Sequence, residues 1–390
     1  MVTEPTTMSL KSKREYLSRI YGRYQRAGRE HKTRILDEFC AVCGYHRKVA
    51  VRLLNRVTRP RRRPGPKPKY DFERLRPPLT KLWLEMGQPC SKILRASLKL
   101  WLPFAPELPQ EIRRDLLAMS PATLDRLLQP VRFRFKRRGL STTKPAKLLR
   151  THIPLRDGPA NAQELGHIEA DTVAHCGETT AGDFVYSLVF TDVCTGWTEI
   201  RATWNKSAGG ILEQLRDIES QLPFAMKSFH ADNGSEFINW PLWEYLRGPQ
   251  RKVKFTRSRA YRKNDNAHVE QKNWTHVREL FGYERFEHRP LVESMNRVYA
   301  QWCLLQNHFR PTFKLASKEK LGSRYRRRYE QLQTPYQRLV QRPELAPDRK
   351  HRLKLQRQAL NPFTLRKSIE QELRIFFTAL GNLHCEATIP

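Results

Sequence analysis

HIEADTVAH, residues 167–175, decides how the middle of this 390-residue chain is read. Apolar and polar residues alternate along it, which is the period of a half-buried strand. Asp171 stands in mid-strand, where a charged side chain is costly without a partner. DFVYSLVFTDVCTGW (183–197) follows as a richly apolar strand that turns at Thr195-Gly196, and WTEIRATW (197–204) returns as a third. GGILEQLRDIESQL (209–222) then carries Ile211, Leu212, Leu215, Ile218 and Leu222 at helical spacing. MKSFHADNGSEF (226–237) reads as a short strand ending in a turn, with a helix from Trp240 to Leu246 and a strand at KVKFT (252–256). A last helix starts near Asn264 and runs through HVEQKNWTHVRELF.

The order β-β-β-α-β-α-β-α is that of the RNase H-like fold, a mixed five-stranded sheet flanked by helices. In that frame three acids take special places. Asp171 lies on the first strand, Asp232 ends the fourth, and Glu270 lies early in the last helix. Two acids on adjacent strands can face one point, and a helix across the sheet edge can bring the third. Such a set suits phosphodiester cutting or joining, which needs in-line attack on a charged phosphorus. Two Mg²⁺ ions about 3.5–4 Å apart activate the attacking oxygen and stabilise the leaving one. Mg²⁺ prefers hard oxygen ligands. Of the neighbouring groups, Glu169 reads as a supporting or surface acid, Asp192 as a turn residue and His175 as a surface histidine.

HIEADTVAH, FHADNGSEF and FTRSRAYRKNDNAHVEQKN resemble the DDE motifs of the retroviral-integrase superfamily, and look most like bacterial insertion-sequence transposases with an integrase core. The resemblance covers roughly residues 165–310. By residue-to-residue carry-over, Asp171, Asp232 and Glu270 are the catalytic metal ligands, with two Mg²⁺ (or Mn²⁺) per active site. The family often has a basic residue seven positions after the glutamate. Here that position is Val277, with Arg278 at eight and Lys272 at two. The resemblance implies a DNA transposase or integrase that cleaves transposon ends and joins the 3′-OH to target DNA. It also implies a homodimer or tetramer on double-stranded DNA.

The loop 256–268 carries Arg257, Arg259, Tyr261, Arg262 and Lys263, cations and an aromatic ring suited to phosphates and bases. Lys272 and Asn273, on the helix of Glu270, are further candidate DNA contacts, and Asn264, Asp265 and Asn266 are candidate caps for that helix.

Working outward, charge separates the chain into parts. Residues 1–166 hold 37 Lys/Arg against 14 Asp/Glu, residues 167–300 hold 17 against 18, and residues 301–390 hold 18 against 7. A near-neutral middle between basic ends, within a net charge of +33, calls for a polyanionic partner. Residues 1–58 read as a helix-turn-helix DNA-binding domain. Ile35, Phe39 and Val42 lie before the Gly44 turn, Val49, Leu53 and Leu54 lie after it, and His46, Arg47, Lys48 and Arg52 are turned to a groove. Cys40 and Cys43, with His31 and His46 near, read as buried thiols, zinc being the alternative. Residues 59–70 are a basic Pro-rich linker whose Arg61, Arg62 and Arg63 could lie along phosphates. Residues 71–150 read as a second helical DNA-binding module. Ser120 caps a helix that ends at Pro130 and shows Thr123 and Arg126 outward.

Residues 160–310 form the catalytic core, and 311–390 a basic DNA-binding or oligomerisation tail with Tyr325, Tyr329 and Tyr336 among arginines. The class is therefore multidomain, α plus α/β: N-terminal helix-turn-helix modules, a central RNase H-like sheet and a basic tail. No apolar run is long enough to span a bilayer, and the odd, scattered set of seven cysteines is not a disulfide framework. With no apolar signal core at the start, a cytoplasmic, nucleoid-associated bacterial protein is expected. Two other readings use the same residues: a non-catalytic DNA-binding regulator on an RNase H-like scaffold, and a structure-specific nuclease.

Overall fold

The computed structural model describes residues 8–55, 69–132, 163–232, 234, 236–248, 251, 253–259, 266–321 and 323–386. They fall into two compact units, Met1–Lys69 and Tyr70–Pro390. The first holds α1 (Leu10–Arg26), α2 (Arg29–Cys43) and α3 (Arg47–Leu54) around Phe39, Ile35, Leu36, Ala50 and Leu54. Gly44 ends α2 in the left-handed region at φ 66°, where glycine carries no Cβ penalty, and the His46 side chain caps α3 by accepting from the Lys48 amide.

The second unit begins with α4 (Phe72–Glu85), α5 (Ser91–Trp101), α6 (Gln110–Ala118) and α7 (Pro121–Arg132). Ser120 accepts from the Thr123 amide at the start of α7. The helix runs past the expected stop at Pro130 as far as Arg132, the last residue described in this stretch; a proline inside a helix removes one backbone hydrogen bond, and α7 takes that loss.

The sheet follows: β1 (His167–Ala174), β2 (Val185–Asp192), β3 (Thr198–Trp204), α8 (Ala208–Gln221), β4 (Ser228–Ala231), α9 (Trp240–Arg247) and β5 (Lys254–Arg257). Its strand order is β3-β2-β1-β4-β5. β1 and β2 are antiparallel, as are β2 and β3, while β4 runs parallel to both β1 and β5. The mixed five-stranded sheet flanked by helices is that of an RNase H-like core. β2 is buried along its whole length because both faces are covered.

Residues one apart along β1 belong to different cores, as a period of two requires. Ile168 and Ala170 pack with Ile211, Leu215 and Leu242 of α8 and α9. Val173 packs on the other face, with Val189 and Ile200. That second face is closed by α10 (Ala267–Lys272), a wider π-turn at Asn273–Arg278, α11 (Glu279–Phe281) and the long α12 (Leu291–Phe309). The apolar residues of α4 to α7 join this same core, so residues 72–132 are welded to the back of the sheet region.

The chain continues through β6 (Leu315–Leu321), β7 (Arg324–Tyr329), α13 (Pro335–Val340), α14 (Pro347–Ala359) and α15 (Pro362–Glu386). α15 lies along α12, where Phe376 meets Phe281 and Phe286 edge-on, each with ring centroids 5.0 Å apart. TPYQRL begins α13 with a capping box between Thr334 and Gln337. No helix among the described residues is long and apolar enough to cross a membrane.

Candidate active site

Strand register brings two of the three acids together. Ala170 of β1 pairs with Ala231 of β4, so Asp232, the first residue after β4, lies beside Asp171, which stays in mid-strand opposite Val189 of β2. By the same period Glu169, Asp171 and Val173 share a face, the one that α10 covers. Three hydrogen bonds then join the α10 segment to three consecutive residues of β1. The His268 amide donates to Glu169 at 3.0 Å, the Asn266 side chain donates to the Ala170 carbonyl at 3.1 Å, and the Asn273 side chain donates to Asp171 at 2.7 Å. Glu169 is buried, and its charge is met at the N-terminus of α10, where unpaired amides favour an anion. Asn273 opens the π-turn, a widening that often marks functional helices.

Asp171 keeps some solvent contact yet is largely desolvated. Burial pushes its carboxyl up to about 7, Asp232 and Glu270 push in the same direction, and the Asn273 side chain and Thr172 amide pull it back. The three acids thus share one electrostatic neighbourhood. Asp232 accepts from the Gly234 amide at 2.9 Å, and Glu270 stands exposed on α10. Among the described residues, no three acids, histidines or cysteines gather closely enough to cage a metal as they stand. Carboxylates with no counter-charge between them repel one another. The donor chemistry nonetheless suits a hard divalent cation. All three side chains offer oxygen, and the buried Oδ1 atoms of Asn266 and Asn273 add two acceptors with no hydrogen-bond donor among the described residues.

Glu236 was not singled out from the sequence. It is buried, accepts from Thr172 Oγ1 at 2.9 Å, and has Lys206 Nζ at 3.5 Å. It therefore braces the turn after Asp232 against β1 from the sheet's other face. A Cβ on Gly234 would stand 2.5 Å from that carboxyl carbon, so any larger residue there would make the Glu236 carboxylate shift. The signal was the acid of DNGSEF itself.

The predicted basic residues fare unevenly. Arg257 pairs in register with Ala231, beside the acids, and Arg259 follows two residues on, both half-buried. Tyr261, Arg262 and Lys263, the cap candidates Asn264 and Asp265, and Arg61, Arg62 and Arg63 lie outside the described residues. Lys272 is half-buried, and desolvation together with Arg338 and Arg310 lowers its pKa to about 8. Asn273 is engaged by Asp171.

Val277 is in the core, and Arg278 donates to the carbonyls of Gly282 and Ala174 with its guanidinium 4.6 Å from the Tyr283 ring. Neither stands as a free helper beside Glu270. His175 is fully buried rather than on the surface, stacked on Phe286 at 4.8 Å and hydrogen-bonded to Ser187. Asp192 does serve its turn, accepting from the amide and hydroxyl of Thr195 and from the Gly166 amide.

In the first unit Arg47, Lys48 and Arg52 line the exposed side of α3, with Arg47 paired to Asp37. Cys43 is buried and Cys40 half-buried, and no metal-holding group forms there among the described residues. Arg126 is exposed on α7 and reaches back to the Ala122 carbonyl.

Fold and site together define an RNase H-like α/β chain with carboxylates grouped where two parallel strands meet a helix. No protein-family model matches it. It is 37% identical over 337 residues to the uncharacterized protein y4rM of Sinorhizobium fredii, a match that covers 83% of this chain and 93% of that protein, and it belongs to the family of that protein. Among solved structures it is similar to a chain of the simian T-cell lymphotropic virus intasome in complex with PP2A regulatory subunit B56 gamma. The identity is 14% and the TM-score 0.32, over 64% of this chain and 76% of that one.

Proposed function

We propose that this chain is a DNA transposase or integrase that cuts the ends of a mobile segment and joins the freed 3′-OH to target DNA. The observation that carries the reading is that Asp232 leaves β4 beside Asp171 of the parallel strand β1, with the helix of Glu270 bolted to the residues around Asp171. These three carboxylates would hold two Mg²⁺ or Mn²⁺ ions. Bound there, the ions would supply positive charge at the scissile phosphate and ease deprotonation of the attacking oxygen.

The protein's own groups do the rest. Burial and the neighbouring acids make Asp171 costly to ionise, a cost that a cation held beside it would offset. Glu169, Asn266 and Asn273 hold α10 against β1, which sets where Glu270 can reach. Arg257, in register with the residue before Asp232, and Arg259 two residues on would draw phosphates toward the acids. In the first step water forms a bond to phosphorus and the 3′-oxygen leaves with a proton. In the second that 3′-OH attacks a target phosphodiester, one P–O bond forming as another breaks. α3, with Arg47, Lys48 and Arg52, is the proposed reader of the ends. Two ends must be held at once, so a dimer or tetramer on DNA is part of the proposal, as is a setting in the bacterial nucleoid.

The test is Asp232→Asn, assayed with duplexes that carry the sequences flanking its gene. Binding of the duplex should persist, while nicking and strand joining in Mg²⁺ should vanish. Joining by the variant at the wild-type rate would remove Asp232 from the centre. Metal-dependent cutting of junctions or RNA–DNA hybrids, with none at the flanking sequences, would favour the nuclease reading.

A further inference from the structure

The β6–β7 ribbon has no counterpart in the catalytic reading. Its register pairs Lys318 with Arg327, Lys320 with Tyr325 and, past an irregularity next to Leu315, that residue with Tyr329. Residues directly opposite in an antiparallel pair point to the same face. One face therefore carries Lys318, Lys320 and Arg327 together with Tyr325 and Tyr329. The ammonium of Lys318 lies 4.5 Å from the Tyr325 ring centroid, as that assignment requires. The opposite face pairs Leu321 with Arg324, Glu319 with Arg326 and Ser317 with Arg328. The two strands thus hold six bases against one acid.

Among the described residues, neither face is covered. Apart from Ser317 every strand residue is exposed, and Tyr325 and Tyr329 show 53% and 52% of their surface. Among the described residues, the contacts that tie the ribbon down lie at its foot. Lys314 Nζ donates to the Cys194 carbonyl at 2.7 Å, Phe313 meets Tyr329 edge-on, and Thr312 bridges to Gln333. A lone two-stranded ribbon is marginal in water, and a stretch of like charge strains it further. What this ribbon lacks is a polyanion.

We infer that the β6–β7 ribbon is a duplex-DNA clamp that enters the major groove, its arginines and lysines on the phosphates and its tyrosines over sugars and bases. The dimensions fit. Strands about 4.8 Å apart with side chains on both faces match a groove about 12 Å wide, which admits a two-stranded ribbon. The deep, narrow major groove of A-form RNA does not. The inference shares its DNA partner with the proposed function, and its test is run without divalent cation, so failure of the acidic centre cannot obscure it.

The experiment measures binding of the full chain to a fluorescent 30-base-pair duplex in EDTA across a salt series. Two triple variants are compared, K318A/K320A/R327A and R324A/R326A/R328A. Each should bind about 10- to 100-fold more weakly at low salt, and the slope of log K against log salt should flatten by about 0.9 for each lost phosphate contact. A control on α14, R349A/R352A/K354A, removes the same charge elsewhere and should change binding far less. Circular dichroism checks each fold, and Tyr325→Ala with Tyr329→Ala tests the ribbon with its charge intact, expected to weaken binding several-fold. Double-stranded RNA should compete poorly. Wild-type affinity in the ribbon variants, an equal loss in the α14 control, a change confined to oligomer mass, or equal competition by double-stranded RNA would each overturn the clamp.

Discussion

His175 shows how one side chain can be misplaced by sequence and then become informative. It ends an alternating strand and reads as a loop histidine. In the fold it is sealed between β1, Phe281 and Phe286, and burial lowers its pKa to about 3. Above pH about 6.5 it is neutral whether the chain is folded or not. As pH falls from there toward 3, the unfolded chain takes up a proton that the native state refuses, so stability is lost across that window. The slope from this one residue is about 1.4 kcal/mol per pH unit. His175→Gln keeps a polar partner for Ser187 and removes the refused proton. Denaturant titrations from pH 7.5 to 4.5 should show the variant, whatever its stability at neutral pH, losing less per pH unit than wild type by about that amount. Parallel stability curves would mean that the imidazole is not held neutral. Asp171 is the converse case: its position in mid-strand was legible as costly, and the cost is visible in the raised pKa.

At the scale of elements, the sheet was largely legible. Strands read at 167–175, 183–197 and 197–204 appear as β1 (His167–Ala174), β2 (Val185–Asp192) and β3 (Thr198–Trp204), because alternation and apolar runs are local signals. The docking of α10 was not. Glu169 looked like a surface or supporting acid because its partner, the His268 amide, lies 99 residues away in sequence. The β6–β7 ribbon was hidden for another reason: RYRRRY has neither a buried face nor an apolar period, so nothing in it announces a strand. The α10 tethers carry a prediction of their own. Glu169→Gln keeps the shape but weakens a charge-assisted bond at a helix N-terminus, worth about 1 kcal/mol. Misplacing a helix that bears a proposed metal ligand should cost more in rate than in stability. We expect at least a tenfold fall in nicking rate, a higher Mg²⁺ requirement and unchanged duplex affinity. A variant with wild-type Mg²⁺ dependence would show that the tether does not set the position of Glu270.

Over the whole molecule, charge and chemistry are separated. The acids of the centre lie in the near-neutral stretch 167–300, while the surplus of Lys and Arg lies before and after it. Residues 72–132 join the core behind the sheet instead of standing apart, and α15 closes the same core from the other end of the chain. The sheet and the helices around it therefore form one support under the acids, as the proposed divalent-cation site needs. The most direct measurement of that claim is Mn²⁺ binding, followed by the loss of the free-ion electron paramagnetic resonance signal in the presence of duplex DNA. Wild type should take up about two ions per chain, and an Asp171→Asn, Asp232→Asn double variant that still folds and binds DNA should take up none at the same concentrations. Equal uptake by both proteins would contradict a metal centre built on these acids.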